Sequence, residues 1–133
     1  ATAPAGPWSD PIWLPHIGGI DPSLFFDEDG KVYILNNDAP EGEPLYEGHR
    51  AVWIREVDAQ TFEPVSDAVV AVNGGLDLSE QPVWIEGPHL YKVDGKYVLS
   101  AAEGGTGPQH SQVILIAKSP LGLSVCAVYA PSR

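Results

Sequence analysis

Two carboxylic acids stand at the same place in two similar stretches of this chain. Asp21 follows Ile20 in a run that ends Asp29-Gly30-Lys31-Val32-Tyr33-Ile34, and Glu86 follows Ile85 in a run that ends Asp94-Gly95-Lys96-Tyr97-Val98-Leu99. A second register matches at a similar offset, His49-Arg50-Ala51-Val52-Trp53-Ile54 against His110-Ser111-Gln112-Val113-Ile114-Leu115. Repetition on this scale marks a repeated supersecondary unit. Equivalent positions in stacked units face a shared axis, so the two acids can meet in one site. A pair of acids suits proton transfer. In the inverting hydrolysis of a glycosidic bond, one carboxyl protonates the leaving oxygen and a carboxylate about 6.5–9.5 Å away activates water. Glu86 lies in Trp84-Ile85-Glu86-Gly87-Pro88-His89, whose apolar, rigid neighbours are expected to bury it and favour the neutral carboxyl of a general acid. Asp21, in Gly18-Gly19-Ile20-Asp21-Pro22, brings a charged carboxylate close by. Taken singly, each acid also fits a turn carboxylate that accepts backbone N–H bonds; the shared register is what points to a site.

Other residues group around these two. His49 and His110 hold equivalent repeat positions, where they either line a site or brace a turn, and their spacing is not that of a metal pair. Trp13, Trp53 and Trp84 offer aromatic faces on which sugar rings stack. Core packing suits Trp53, inside a strand pattern; Trp84 stands beside Glu86. Gly104-Gly105-Thr106 lacks the phosphate-loop pattern, and its glycines let the backbone approach a site with Thr106 as a sugar contact. A single cysteine, Cys126, excludes an internal disulfide and a cysteine-based zinc site.

These residues need strands to hold them. Ser23 to Phe26 and Lys31 to Leu35 flank the turn Asp27-Glu28-Asp29-Gly30, and His89 to Lys92 and Tyr97 to Ser100 flank Val93-Asp94-Gly95-Lys96. Ala51 to Val57 predicts a third strand of the first unit, and Val65 to Val72 a fourth after the turn at Asp58-Ala59-Gln60-Thr61. Gln112 to Ala117 matches the third strand in the second unit, and the apolar stretch from Val125 to Tyr129 is a further candidate edge strand. No window carries a helical period. The expected class is all-β: a partial β-propeller of two four-stranded antiparallel blades. A β-sandwich accounts for the strands but not for the repeat. The expected divisions are an approach segment over 1–19, a first blade over 20–72, a second over 73–122 and a divergent tail over 123–133. Propellers close with about 4–8 blades, so two blades imply part of a larger ring or closure by association into a homo-oligomer.

Charge narrows the partners. Net charge is -11 with seven Lys and Arg residues, which repels phosphate, so no nucleic acid partner is expected. No stretch approaches about 18 apolar residues, so no membrane span is expected. A basic start followed by an apolar core is absent from this sequence, which points to no particular compartment.

Gly19-Ile20-Asp21-Pro22-Ser23-Leu24-Phe25-Phe26-Asp27-Glu28-Asp29-Gly30-Lys31 and Trp84-Ile85-Glu86-Gly87-Pro88-His89-Leu90-Tyr91-Lys92 resemble glycoside hydrolase family 43, which holds β-xylosidases and α-L-arabinofuranosidases. Gly48-His49-Arg50-Ala51-Val52-Trp53-Ile54 and Ala102-Glu103-Gly104-Gly105-Thr106, with His110-Ser111 after it, are similar to the β-xylosidase branch. The four motifs run in order over about residues 6–122. The resemblance implies a five-bladed propeller and inverting exo-hydrolysis of xylose- or arabinose-containing oligosaccharides by three carboxylates. It assigns Glu86 as the general acid and Asp21 as the acid that orients it and modulates its pKa. Trp84, Thr106, His49, Arg50 and His110 are the candidate substrate contacts around these acids. The family's general base, an Asp of the first blade, has no matching motif here, at Asp10 or elsewhere. No cofactor is expected: calcium occurs in the family, but its site lies in later blades that this sequence does not match. Without that base the alternative is a non-catalytic carbohydrate-binding or assembly module. The resemblance fades after Ser119-Pro120-Leu121-Gly122.

Overall fold

The computed structural model describes residues 1–122 and the two strand residues 126–127; the remainder of the tail, including most of the candidate edge strand 125–129, lies outside the described residues. The strands are β1 (Ile20–Phe26), β2 (Val32–Asp38), β3 (Ala51–Val57), β4 (Val69–Asn73), β5 (Glu86–Val93), β6 (Lys96–Glu103), β7 (Ser111–Ala117) and β8 (Cys126–Ala127). They form two sheets, β1-β2-β3-β4 and β5-β6-β7-β8, with every neighbouring pair antiparallel. One 3-10 turn, Leu78–Glu80, interrupts the connection between the sheets. Among the described residues no helix is long and apolar enough to cross a membrane.

Turn chemistry sets both hairpins. Asp94 and Gly95 take φ of 49° and 72°, the left-handed pair that a two-residue hairpin turn requires. The first hairpin is wider. Gly30 N–H donates to Asp27 O at 3.1 Å, Asp27 N–H donates to Lys31 O at 2.9 Å, and Gly30 takes the positive φ. The fourth strand starts at Val69, later than the expected Val65. Ser66 Oγ accepts the Glu56 N–H at 2.9 Å, so a side chain replaces one rung of the ladder and delays regular pairing.

Burial explains the stacking. Tyr33, Leu35, Val52 and Ile54 of the first sheet pack against Ile85, Leu90, Leu99, Val113 and Leu115 at or in the second. The opposite face of the first sheet is covered too, where Val32, Ile34 and Val57 meet Leu14, Ile17 and Phe62. The irregular approach segment therefore acts as a cover, and β2 is buried from Val32 to Asn37 without alternation. Each large aliphatic side chain so buried contributes about 1.5–3 kcal/mol. At the far end of the interface from Asp21, Asp27 accepts Lys92 Nζ at 2.6 Å and Tyr97 O–H at 2.5 Å, joining β1 to β5 and β6.

Both first strands break register at their acid, between Ile20 and Ser23 and between Glu86 and His89. Such bulges re-aim a side chain. Asp21 has φ of 53° in the first, and Gly87 has φ of 58° in the second.

Candidate active site

The first sheet holds the backbone around Glu86 at three points. Asn37 Nδ2 donates to Ile85 O. Gly87 N–H donates to Asp21 Oδ2 at 3.1 Å. Ser23 Oγ donates to Pro88 O at 2.5 Å. Glu86 is the residue in the middle of this seam. Asp21 therefore reaches the peptide that follows Glu86, and the bulge with its left-handed φ is what turns it there. Burial differs from the sequence expectation: Ile85 is fully buried, Glu86 is half-buried and Asp21 is exposed. The residues that fill the core here are Ile85 and Pro88, on either side of the bulge, and Glu86 between them stays partly open.

A second group adjoins the first. The Arg50 guanidinium lies 4.6 Å from the centre of the Trp84 ring, a cation–π stack. Trp84 takes φ of 40°, and its N–H donates to Gly48 O at 3.2 Å. That bond and left-handed backbone turn the indole out of the strand path toward Arg50. The buried Arg50 Nε has no partner among the described residues. Gly104 N–H donates to Val83 O at 2.9 Å, which brings the Gly104–Thr106 turn beside the residues entering Trp84. Thr106 and His110 are exposed on that turn, with His110 Nδ1 2.7 Å from Gly105 O. His49 differs from the other proposed contacts. It is 4% exposed, its Nδ1 accepts the Leu45 N–H at 3.1 Å, and its ring packs 4.8 Å from Tyr46. It braces the turn that carries Arg50 and presents no edge to solvent. Trp13 is 81% exposed on the approach segment, while Trp53 is half-buried outside the core clusters, not packed in the core as expected, and its Nε1–H donates to Ala39 O, just past β2, at 2.8 Å.

Four residues to which the sequence reading gave no role complete the framework. Asn37 and Ser23 are named above. Glu103 Oε2 accepts the Leu76 N–H at 3.1 Å, and Tyr46 O–H donates to Pro82 O at 3.1 Å, so the inter-sheet connection is held from both sides. Burial, helped by the charge of Glu103, pushes the Tyr46 phenol above its ordinary 10.0. A signal for Asn37 was present: an amide inside the run Val32-Tyr33-Ile34-Leu35-Asn36-Asn37 must find a buried partner. Asp10 lines a groove with Trp8, Pro11, Leu14, Leu24 and Phe62, on the face of the first sheet turned away from the second. Among the described residues no three His, Cys, Asp or Glu side chains gather as a metal site would need.

The arrangement is a half-buried carboxyl with its backbone fixed, beside an arginine–tryptophan platform. The family model described as glycosyl hydrolases family 43 matches residues 1–127. A xylosidase/arabinosidase of Butyrivibrio fibrisolvens is 41% identical over 121 residues, covering 90% of this chain and 22% of that protein. A non-reducing end alpha-L-arabinofuranosidase of Bacteroides ovatus is 39% identical over 122 residues, covering 92% and 20%. Among solved structures, a GH43_12 protein retrieved from a capybara gut metagenome superposes with a TM-score of 0.85 at 52% identity, covering 92% of this chain and 23% of that one. The xylan beta-1,4-xylosidase of Bacillus halodurans superposes with a TM-score of 0.73 at 36% identity, covering 92% and 22%. The chain spans about a fifth of the length of these relatives.

Proposed function

Because this chain belongs to glycosyl hydrolases family 43, we propose that it is the acid-bearing part of a glycosidase acting on the ends of xylose- or arabinose-containing oligosaccharides. Its two sheets are two blades of a five-bladed propeller. The observation that carries the proposal is the fixing of residues 85–88 by Asn37, Asp21 and Ser23. It holds the backbone of Glu86, the carboxyl that the resemblance assigns as the general acid. In this reading Glu86 gives its proton to the leaving oxygen as the C1–O bond breaks. Water attacks C1 from the opposite face and passes its proton to a carboxylate base, inverting the configuration. Asp21 orients Glu86 through the Gly87 peptide. Arg50 and Trp84 receive a sugar ring, Thr106 and His110 reach it from the glycine turn, and His49 supports Arg50 from behind. The base comes from outside this chain, from the rest of a longer protein or from a second copy.

Hydrolysis of aryl β-xylosides and aryl α-arabinofuranosides tests this. Turnover that falls by about 10²–10⁴-fold in Glu86→Gln supports it; turnover indifferent to that substitution overturns it. The second reading is a carbohydrate-binding or assembly module, favoured by the Arg50–Trp84 stack, which binds a ring without needing any acid. Sugar binding without turnover in a preparation that contains the whole propeller would select it.

Self-association belongs to the same proposal. Leu24 and Phe26 on β1, and Tyr91 and Val93 on β5, are 45%, 62%, 51% and 53% exposed. Apolar side chains on strands at sheet edges are association sites. A homo-oligomer is expected, and a single monomeric species in sedimentation at micromolar concentration would exclude it.

A further inference from the structure

We infer that Asn37 is a positioning residue for Glu86; the inference rests on the reading of Glu86 as the general acid. Asn37 is completely buried in β2, paired across the ladder with Ile20 on one side and Val52 on the other. Its Nδ2 donates to Ile85 O, the carbonyl immediately before Glu86, while its Oδ1 is buried with no partner among the described residues. An amide half-satisfied in a core is less favourable than an aliphatic side chain of the same size. Packing is therefore not what Asn37 contributes. What it adds is one directed donor.

The position of that donor gives it meaning. Asp21 takes the N–H of Gly87, immediately after Glu86, at 3.1 Å. The peptide units on both sides of Glu86 are thus held by side chains from β1 and β2. Those two strands are themselves in register through Ile20 and Asn37. With both peptides fixed, the Cα–Cβ bond of Glu86 cannot swing without breaking one of the two bonds. A proton donor gains most from such fixing, since a displacement of about 1 Å at a reacting group can cost on the order of 10²-fold in rate. Asn36, its neighbour, is the internal contrast. It is equally buried, and its Oδ1 too has no partner among the described residues, but its Nδ2 donates to Gly18 O at 3.1 Å in the approach segment and to Asn37 O at 3.4 Å, and not to the residues around Glu86.

The test compares Asn37→Leu with Asn36→Leu. Hydrogen exchange of the Gly87 amide, followed by NMR, should accelerate about 10-fold or more in Asn37→Leu and stay unchanged in Asn36→Leu. Turnover should fall by about 10²-fold on oligosaccharides and on aryl glycosides with poor leaving groups. It should fall little on those with good leaving groups, which need no proton. Unchanged Gly87 exchange, or an equal fall on every leaving group, would overturn the inference. Glu86→Gln is measured beside them. If its own loss is independent of the leaving group, the reading of Glu86 fails instead, and Asn37 as a clamp on this backbone is decided by the exchange data alone. If Asn37→Leu does not fold, the wild-type chain decides: the side-chain amide protons of Asn37 should exchange far more slowly than those of exposed Asn73, and equal rates would overturn the clamp.

Discussion

Asp27 and Lys92 occupy the same position in the two repeats, and the Lys92 ammonium lies 2.6 Å from the Asp27 carboxylate across the interface between the sheets. The carboxylate is 1% exposed and also accepts from Tyr97 O–H and Glu28 N–H. Burial pushes the Asp27 carboxyl up, but the bonds from Lys92, Tyr97 and Glu28 outweigh it and hold the group below its ordinary 3.8. The bond to Asp27 holds Lys92 above its ordinary 10.5, and that same partner, with burial, raises Tyr97 above 10.0.

The signs give a first prediction. A carboxyl lowered in the folded state stabilises fully above 3.8, and that stability is lost as pH falls through its folded value. Raised groups stabilise fully below their ordinary values of 10.0 and 10.5, and that stability is lost as pH climbs through their folded values. Thermal unfolding midpoints recorded from about pH 2 to about pH 11 should therefore drop at both ends. Asp27→Asn should lower the plateau and flatten the acid limb; Tyr97→Phe should flatten the alkaline one. An acid limb in Asp27→Asn as steep as the wild type's would show that other carboxylates set it.

Much of this was legible in the sequence, for identifiable reasons. Asp94-Gly95 and Asp29-Gly30 carry turn chemistry that forces hairpins, so β1, β2, β5 and β6 could be placed from local residues. The acids were visible because Asp21 and Glu86 match in kind as well as place. Asp27 and Lys92 sit in the same repeat register, yet self-similarity passes over them because their charges are opposite; only stacking shows that equivalence brings them together. For Asn37 the need for a partner was readable, and the partner was not. Its partner is a backbone carbonyl 48 residues away, and a carbonyl has no residue type to recognise. The burial of His49 was equally illegible, since a turn histidine and a site histidine share one pattern until Tyr46 and Gly74 are folded around it.

Gly19 supplies a second prediction. Its φ is 68°, and a Cβ placed there would collide with the carbonyl oxygen of Asn37. Both the left-handed backbone and the clash penalise a side chain, so Gly19→Ala should cost more than about 1 kcal/mol of stability. Gly48 also has positive φ, 84°, but a Cβ there meets its nearest atom, on Val83, at 3.5 Å, an ordinary contact. Gly48→Ala should be the milder change, carrying backbone strain alone. Urea unfolding of the two variants checks the order, and equal losses would mean that β1 shifts to relieve the clash.

The Arg50–Trp84 stack leads to a third. A guanidinium over an indole contributes about 0.5–2 kcal/mol, and here it also fixes the direction of the arginine's free donors. Trp84→Ala should weaken binding of xylo- or arabino-oligosaccharides by about 10-fold, because it removes both the aromatic face and the support under Arg50. Arg50→Lys should weaken it too, since an ammonium on a flexible stem keeps the charge but loses the planar fork. Isothermal titration with a short oligosaccharide measures both, and an Arg50→Lys variant that binds like the wild type would remove Arg50 from the sugar site.

The last prediction concerns rate. The framework tied to residues 85–88 contains one candidate donor, Glu86, and one carboxylate, Asp21, which is already engaged with the Gly87 N–H. Of the other acids considered for a base, Asp10 lies on the outer face of the first sheet and Glu103 is occupied by the Leu76 N–H. A base typically contributes about 10²–10⁴-fold, so the 133-residue chain acting alone should be slow. What activity it shows should favour aryl glycosides, whose leaving groups need little protonation, over oligosaccharides. Azide needs no deprotonation to attack the sugar carbon. It should therefore raise the rate on good leaving groups and yield a glycosyl azide of inverted configuration, which NMR of the product identifies. Turnover near about 10 s⁻¹, the ordinary enzyme range, with no response to azide would mean that a base is already in place. Asp21→Asn, Asp10→Asn and Glu103→Gln, assayed on the same substrates, would then identify it.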